Sequence, residues 1–406
     1  MANKKIIQYI LRKHYSEYLQ THPQPAKVIK GVKSQIRCRT KEQGVSHYIC
    51  PRDGEHKEIN HSCRHKGCTI CGNKRQQQWL SKQSERLINC DHYHVVFTLP
   101  QEYHALWLYN REWFIKAQFE ASTETLRALL EGGQYNGKKH KEKLNAKVGL
   151  IATLHTWGRS LNLHPHIHIL VTGGGLDKNN QWQSIEGDYL LPVKQVKALY
   201  RGKLQAKIKA FIDSEDIRYP KGQNKREQEQ RYRQAYNKEW SVRIQEKYSH
   251  GKGVLIYLSR YLGSNPVKPE QVQLINRKKE VLLSYWSHRE QKKKQLRLSI
   301  ESFLSRLLIH QSRSNVHSIR YYGIYSSQSK RKRRICEEQL GKVASSNIAK
   351  LVTTLTEESN GVLCSCCQGV MQLSYVIYYS WAMKNPLYKR AAAETEGGSQ
   401  ETEPIG

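Results

Sequence analysis

The chain has 406 residues, and its 67 Lys and Arg against 35 Asp and Glu give a formal net charge of +32. This length allows two or three domains, and 38% hydrophobic residues are enough to form real cores. The charge attracts polyanions, most simply nucleic acid, but it indicates a class of partner and no reaction. Neither a signal-peptide core nor a run of about eighteen apolar residues occurs, so we expect a soluble, cytoplasmic protein and exclude a membrane-spanning one.

Clustered cysteines near the start of the chain predict a structural zinc site with the ligands Cys50, Cys63, Cys68 and Cys71. Cys68 and Cys71 have the spacing with which two thiolates on a tight turn bind one tetrahedral Zn²⁺. Substitute ligands nearby are Asp53, His56, His61 and His65, and free thiols in an ordinary loop are the other interpretation. Residues 1–88 are therefore expected to form a zinc-binding domain that binds DNA, with a polar helix from Asn73 to Leu87.

Predicted strands and helices alternate along residues 89–329. The predicted strands are His94–Leu99, Val148–Trp157, His166–Thr172, Val272–Asn276, Val281–Tyr285 and Ile319–Tyr325. The third strand ends at Gly173-Gly174-Gly175, and the fourth and fifth form a hairpin. The predicted helices are Tyr103–Leu130, Val193–Ile212, Lys225–Trp240, Gly253–Leu262 and Ile300–His310. Strands that alternate with helices but include hairpins favour an α+β domain with a largely antiparallel sheet.

The last part of the chain is expected to contain a basic region, residues 330–390, and a disordered tail rich in Glu, Thr and Gly, residues 391–406. The basic region carries Cys364, Cys366 and Cys367, which amount to half of a metal site. A second zinc site and ordinary thiols are equally compatible with this cluster.

The segment His164-Pro165-His166-Ile167-His168 predicts a catalytic metal site. Residues two apart on a strand point to the same face, so His166 and His168 can present two imidazoles to one ion. His155 lies eleven residues before His166, where hairpin pairing brings it beside the pair as a third ligand. A hydrogen-bonded sheet histidine is the alternative for His155.

Two tyrosines, Tyr257 and Tyr261, stand four residues apart in Tyr-Leu-Ser-Arg-Tyr and would share one face of a helix. Helix packing would explain this spacing if it stood alone. Together with a metal ion held over a phosphate, two phenols provide the groups needed to cut DNA through a tyrosine–phosphate bond. We therefore predict Tyr257 and Tyr261 as the catalytic nucleophiles.

The order of these motifs resembles a known family. The cysteine cluster is followed by His-Val-Val-Phe-Thr-Leu-Pro at 94–100, Leu-His-Thr-Trp-Gly at 154–158, His-Pro-His-Ile-His at 164–168, Tyr-Leu-Ser-Arg-Tyr at 257–261 and His-Ser-Ile-Arg-Tyr-Tyr-Gly at 317–323. This order is similar to that of rolling-circle transposases of the insertion sequence 91 type, two-tyrosine members of the His-hydrophobe-His nuclease superfamily. The chain departs from that pattern at Asp53, where a cysteine is expected, and at Arg159, where a glutamine is expected.

The resemblance implies a catalytic sheet of the RNA-recognition-motif type behind an N-terminal zinc-binding domain. It implies Mg²⁺ or Mn²⁺ as the catalytic ion, and Mn²⁺ suits nitrogen ligands better. It also implies a prokaryotic, DNA-associated enzyme that nicks and rejoins single-stranded DNA at element ends through 5′-phosphotyrosine intermediates. Target DNA and host replication proteins are the further expected partners.

Two other functions fit the same residues. A rolling-circle replication initiator or relaxase shares the nuclease chemistry but more often carries a helicase domain, and no GxxxxGK[ST] sequence occurs here. A noncatalytic zinc-containing nucleic-acid-binding protein would use the histidines only for structure. Incubation with labelled single-stranded DNA and Mn²⁺ separates this last function from the other two.

Overall fold

A computed structural model of the chain describes residues 5–72, 79, 83, 86–131, 144–187, 190–248, 265–287, 290–311, 317–342 and 362–378. The described α-helices are α1 (Ile6–Thr21), α2 (Ala26–Arg37), α3 (His104–Tyr109), α4 (Arg111–Leu130), α5 (Val193–Ile212), α6 (Lys225–Tyr236), α7 (Ile300–Ile309) and α8 (Lys330–Leu340). The described strands are β1 (Val45–Ile49), β2 (His56–Asn60), β3 (His92–Thr98), β4 (Lys147–Trp157), β5 (Leu163–Leu176), β6 (Trp182–Ser184), β7 (Val242–Tyr248), β8 (Val272–Ile275), β9 (Glu280–Ser287), β10 (Lys292–Ser299), β11 (Ile319–Gly323) and β12 (Gln372–Ile377).

These elements form two compact units, each discontinuous in sequence. The cysteine unit comprises the described parts of 1–78, 265–314 and 351–406, and the histidine unit comprises those of 79–264 and 315–350. The units thus divide the chain differently from the continuous domains expected from the sequence, because residues 265–311 fold with the N-terminal helices. Among the described residues, no helix has the length and apolarity needed to cross a membrane.

The histidine unit is built on an antiparallel sheet in the order β11-β4-β5-β3-β7, with β6 added beside β5. Apart from the short strand β6, the chain runs from β3 to β7 as strand, helices, strand, strand, helices, strand. One face carries the hydrophobic core, because alternate residues such as Leu150, Ile167, Ile169 and Phe97 point to it. Helices α4 and α5 cover this face, and Phe97 packs against Tyr200 of α5 with ring centroids 4.8 Å apart.

The cysteine unit has two three-stranded antiparallel sheets, β12-β1-β2 and β10-β9-β8. Helix α1 packs against α2, α7 and β8 through its buried apolar side, which includes Ile10 and Leu11. The Tyr18 and Ser305 hydroxyls, 2.9 Å apart, join α1 to α7. Ser299 caps α7 by accepting a hydrogen bond from the Ser302 amide, as a serine at this position typically does. The α+β class predicted from the sequence is confirmed.

Several element boundaries differ from those predicted. The helix expected at Tyr103–Leu130 is interrupted at Asn110, whose side-chain amide donates to the carbonyl oxygens of Leu106 and Arg218. Strand β5 continues through its three glycines to Leu176. A Cβ atom at Gly174 would lie 2.5 Å from the Gln183 carbonyl oxygen on β6, so the glycine permits this close pairing.

Candidate metal centres

The three predicted metal-binding histidines lie together on the sheet face opposite the hydrophobic core. His155 on β4 pairs with His166 on β5, and His168 follows two residues further along β5. Each residue offers one ring nitrogen that lies within 4.8 Å of those of the other two. The structure therefore brings the three residues together by the strand alternation and hairpin pairing used to predict them.

Hydrogen bonds to Nδ1 orient two of the three rings. Nδ1 of His166 lies 2.6 Å from the carbonyl oxygen of His164, which can only accept, so Nδ1 carries the proton and donates. The lone pair of His166 is then on Nε2. Nδ1 of His168 lies 2.8 Å from Nε2 of His94 on β3. Metal-binding histidines in proteins are commonly held in this way through the nitrogen that does not bind the ion.

Burial keeps the imidazoles of His166 and His168 neutral. His155, His166 and His168 are 6%, 9% and 5% exposed. Burial, and then the neighbouring His155, lower the pKa of His166 and of His168 well below the usual value. Burial also lowers the pKa of His94 to about 4. Because metal ions bind the unprotonated form of imidazole, His166 and His168 are in their ligand form at neutral pH.

Aromatic and cationic side chains share the polar face of the sheet. Trp157 stacks on His155 with ring centroids 4.5 Å apart. Arg243 on β7 belongs to the same face by its pairing with Val96, which in turn pairs with His168. Tyr321 on β11 also belongs to this face, since it pairs with Ile151, and burial raises the pKa of its phenol.

The predicted nucleophiles Tyr257 and Tyr261 lie outside the described residues, as does the predicted helix Gly253–Leu262 that carries them. Their position relative to the histidines therefore stays a prediction.

The predicted zinc site differs from the structure at one ligand. Cys63, Cys68 and Cys71 are grouped with Cys38, and one ligand atom from each lies within 4.8 Å of the other three. The Sγ atoms of Cys63 and Cys71 are 3.7 Å apart, and the Cys63 amide donates to Cys38 Sγ at 3.4 Å. The prediction of Cys50 as the fourth member is wrong for this cluster, because Cys50 follows β1 into a separate group with Asp53, Cys364 and Cys367.

Cys38 reaches this cluster through the end of helix α2. The helix stops at Arg37, where the side-chain amide of Gln8 from α1 lies 2.9 Å from the Ile36 carbonyl oxygen and 2.8 Å from that of Cys38. This contact satisfies carbonyl groups that a helix end leaves without partners. Gly31 on α2 also allows the loop that follows Cys63 to approach, since a Cβ atom there would lie 2.5 Å from His65 Nε2.

Sequence reasoning overlooked Cys38 and His94 for different reasons. Cys38 stands alone, 25 residues before Cys63, and no local spacing marks it as a ligand. His94 had a signal: it belongs to the strand motif His94-Val95-Val96-Phe97-Thr98-Leu99, in which its side chain alternates to the same face as Val96. A fully buried polar side chain such as His94 needs a hydrogen-bond partner, and His168 is that partner.

Two protein families match parts of this chain. Residues 149–333 match a family described as "Putative transposase", and residues 10–99 match one described as "Transposase zinc-binding domain". The first match includes the three histidines of the sheet, and the second includes Cys38, Cys63, Cys68 and Cys71.

Two curated relatives align with most of the chain. The transposase for insertion sequence element IS801 from Pseudomonas savastanoi pv. phaseolicola is 28% identical over 336 residues, which are 78% of this chain and 73% of the relative. The "Putative transposase y4qJ" from Sinorhizobium fredii is 27% identical over 341 residues, which are 82% of this chain and 83% of the relative. No solved structure matches.

The zinc-binding match precedes the transposase match along the chain, and each includes a cluster of side chains that could hold a metal ion. With this order and these matches, the chain is similar to transposases of the insertion sequence 91 type.

Proposed function

We propose that this protein is a transposase that nicks and rejoins single-stranded DNA at element ends through 5′-phosphotyrosine intermediates, in rolling-circle transposition. The observation that carries the proposal is the group of three buried histidines on the polar face of the sheet. The family matches and the sequence Tyr257-Leu258-Ser259-Arg260-Tyr261 support it. The strand and helix order of the histidine unit is compatible with a sheet of the RNA-recognition-motif type.

The donor set fits a divalent metal ion. His155, His166 and His168 would hold it through three imidazole nitrogens, and such ligands suit Mn²⁺ better than Mg²⁺. When bound, the ion would supply positive charge to the nonbridging oxygens of the scissile phosphate. His94 and the His164 carbonyl oxygen would keep the rings of His168 and His166 in the orientation that binding requires.

The tyrosines would supply the covalent chemistry. The phenolic oxygen of one tyrosine attacks phosphorus, a Tyr–O–P bond forms, and the bond from phosphorus to the 3′ oxygen breaks. The proton that the phenol loses is balanced by the proton that the leaving 3′ oxygen gains, so a free 3′-hydroxyl results. The phosphotyrosine bond retains the energy of the phosphodiester that was cut, so rejoining needs no ATP.

Two tyrosines would allow both cutting and joining in one site. The second phenol can cut another strand in the same way, and a free 3′-hydroxyl can then attack either phosphotyrosine. That attack restores a phosphodiester and returns the proton to the phenol. The pair Tyr257 and Tyr261 would therefore exchange strands between element and target DNA without a separate ligase.

The charge of the chain supports the proposed partners. A formal net charge of +32 suits a protein that holds the backbones of donor and target DNA. Unpaired DNA is the expected substrate, because a small sheet must reach a single phosphate without a neighbouring strand in the way. Host replication proteins would extend the free 3′-hydroxyl.

A covalent-adduct assay tests the proposal. The full chain is incubated with Mn²⁺ and a labelled single-stranded oligonucleotide that contains an element end, and denaturing gels detect the protein–DNA adduct. Phenylalanine retains the ring but removes the nucleophilic oxygen, so the Tyr257→Phe, Tyr261→Phe double variant should form no adduct. Either single variant should still nick DNA but should not complete strand exchange.

Tyr321→Phe is the matched control, since Tyr321 is a tyrosine on the same face of the sheet as the histidines. It should form the adduct at the wild-type level. If the adduct persists in the double variant and disappears in Tyr321→Phe, the nucleophile is Tyr321 on β11 and the assignment of Tyr257 and Tyr261 is overturned. Equal cutting of paired and unpaired versions of the same end would contradict the preference for single-stranded DNA.

A further inference from the structure

Two short turns from distant parts of the chain bring four further ligand atoms together in the cysteine unit. Cys50, Asp53, Cys364 and Cys367 each offer one atom, and all four atoms lie within 4.8 Å of one another. The Sγ atoms of Cys50 and Cys367 are 3.5 Å apart, and Cys364 Sγ is 3.1 Å from an Asp53 carboxylate oxygen. Cys50 and Cys364 are almost fully buried, at 1% and 0% exposed.

The two turns have related forms. In the first, Cys50 and Asp53 are separated by two residues and followed by Gly54, whose amide donates to the Cys50 carbonyl oxygen at 2.9 Å. Gly54 has a φ of +73°, which L side chains rarely adopt. In the second, Cys364 and Cys367 have the same separation, and the Cys364 amide donates to the Gly369 carbonyl oxygen at 2.9 Å.

Backbone amides also point at the sulfur of the second turn. The amides of Cys366 and Cys367 donate to Cys364 Sγ at 3.3 and 3.5 Å. Hydrogen bonds from amides favour negative charge on the acceptor, which suits a thiolate that binds a cation. The Cys38 cluster has the same feature, since the His65 amide donates to Cys63 Sγ at 3.4 Å.

Strand pairing fixes the two turns at one end of the sheet β12-β1-β2. Ile49, the last residue of β1, pairs with Gln372, the first residue of β12. Cys50 follows directly after Ile49, and the second turn is closed by a bridge between Leu363 and Val370 just before β12. The approach of the four ligands is therefore a consequence of the sheet register.

We propose that Cys50, Asp53, Cys364 and Cys367 bind a second structural Zn²⁺, separate from the one at the Cys38 cluster. Three sulfur ligands and one carboxylate oxygen complete a tetrahedral set, with a carboxylate in place of one of the usual cysteines or histidines. Thiolates select zinc over the hard cations Mg²⁺ and Ca²⁺. The site accounts for Asp53 at a position where the family pattern has a cysteine, because a carboxylate can serve as the same ligand.

Glu55 and Cys366 border this site and form a different group with Cys364. Glu55 accepts hydrogen bonds from the Cys364 thiol at 2.6 Å, from the Ser365 amide at 2.9 Å and from the Ser365 hydroxyl. The two Ser365 donors would therefore hold Glu55 when Cys364 loses its proton. Cys366 is exposed. We therefore assign Glu55 to positioning the turn and leave Cys366 out of the ligand set.

Zinc content of the full-length protein, purified under reducing conditions and measured by elemental analysis, tests the proposal. Wild type should hold two zinc ions per chain. The Cys364→Ser, Cys367→Ser double variant should hold one, and Cys366→Ser, the matched control from the same turn, should hold two. One zinc in wild type that the double variant retains would overturn the site, as would a Cys50–Cys367 disulfide found by peptide mapping of wild type.

A gain-of-ligand variant addresses the case in which loss of a cysteine simply prevents folding. Asp53→Cys should retain two metal ions. When both sites hold cobalt, the sulfur-to-metal charge-transfer absorption of Asp53→Cys should exceed that of wild type by about one seventh. The reason is that the variant adds one thiolate to the cysteines that the two sites have in total. Unchanged absorption at full cobalt content would rule out Asp53 as a ligand.

Discussion

His94 and His168 lie on the adjacent strands β3 and β5, and Nε2 of His94 is 2.8 Å from Nδ1 of His168. The contact is diagonal, because His94 pairs with Leu170 in the strand register and His168 pairs with Val96. His94 has no place among the three grouped ligands, so it would act on the metal through His168. Its position makes the orientation of His168 dependent on a neighbouring strand.

We predict that His94→Ala weakens binding of the catalytic metal without removing it. Residues that orient metal ligands typically contribute about 10- to 100-fold in affinity. The Mn²⁺ concentration needed for half-maximal cleavage should rise by a factor in this range, and excess Mn²⁺ should restore the rate. His94→Gln, which keeps a polar group near the position of Nε2, should have a smaller effect. An unchanged Mn²⁺ requirement in His94→Ala would exclude this role.

His155 is predicted to be the third ligand, and His164 provides its control. His166→Ala, His168→Ala and His155→Ala should each abolish Mn²⁺-dependent cleavage. His164→Ala should retain it, because His166 uses the His164 carbonyl oxygen, which alanine also supplies. Single-turnover cleavage rates at saturating Mn²⁺ measure the difference. Normal cleavage by His155→Ala would place the third ligand elsewhere.

The corrected zinc cluster predicts a pattern in double variants. Cys38→Ser should release one zinc ion, and Cys50→Ser should release the other. The double variant should then lose both zinc ions. If Cys38 and Cys50 were ligands of one shared site, the double variant would lose no more zinc than either single variant. Zinc in small domains commonly contributes about 10 kcal/mol or more to folding, so Cys38→Ser should also increase protease cleavage within residues 1–72. Cys90→Ser, a buried cysteine outside these clusters, should keep both ions.

DNA binding should weaken steeply with salt. A protein that contacts six to ten phosphates of a single strand should show a slope of roughly −4 to −7 in a plot of log affinity against log salt concentration. Fluorescence anisotropy with a labelled oligonucleotide measures this slope. His166→Ala should leave it unchanged, because the substitution removes a metal ligand and no basic side chain. A slope near zero would contradict binding through the phosphate backbone.

The grouping of the three histidines could be predicted from the sequence because its geometry is local. Alternation along a strand places His166 and His168 on one face, and the short connection between β4 and β5 makes their hairpin pairing with His155 the simplest arrangement. The same logic could not find His94, since the pairing of β3 with β5 joins residues about seventy positions apart.

The cysteine clusters show where such reasoning fails. Cys50 is closer in sequence to Cys63 than Cys38 is, yet strand β1 directs it towards Cys364 and Cys367. Strand β10 was also missed, because its Lys292-Lys293-Lys294 start lacks the β-branched and aromatic residues typical of strands. Pairing with β9 compensates for this low propensity.

The pairing of β1 with β12 has a consequence for the order in which the protein matures. In the cysteine unit, β1 has β2 on one side and β12 on the other, so before β12 is synthesised one edge of β1 exposes unpaired backbone groups. The unit that begins first along the chain is thus completed last, after the whole histidine unit has left the ribosome. A nascent or prematurely terminated chain that lacks β12 would present an open strand edge and an incomplete set of thiols. The N-terminal fold therefore depends on translation of the chain through β12.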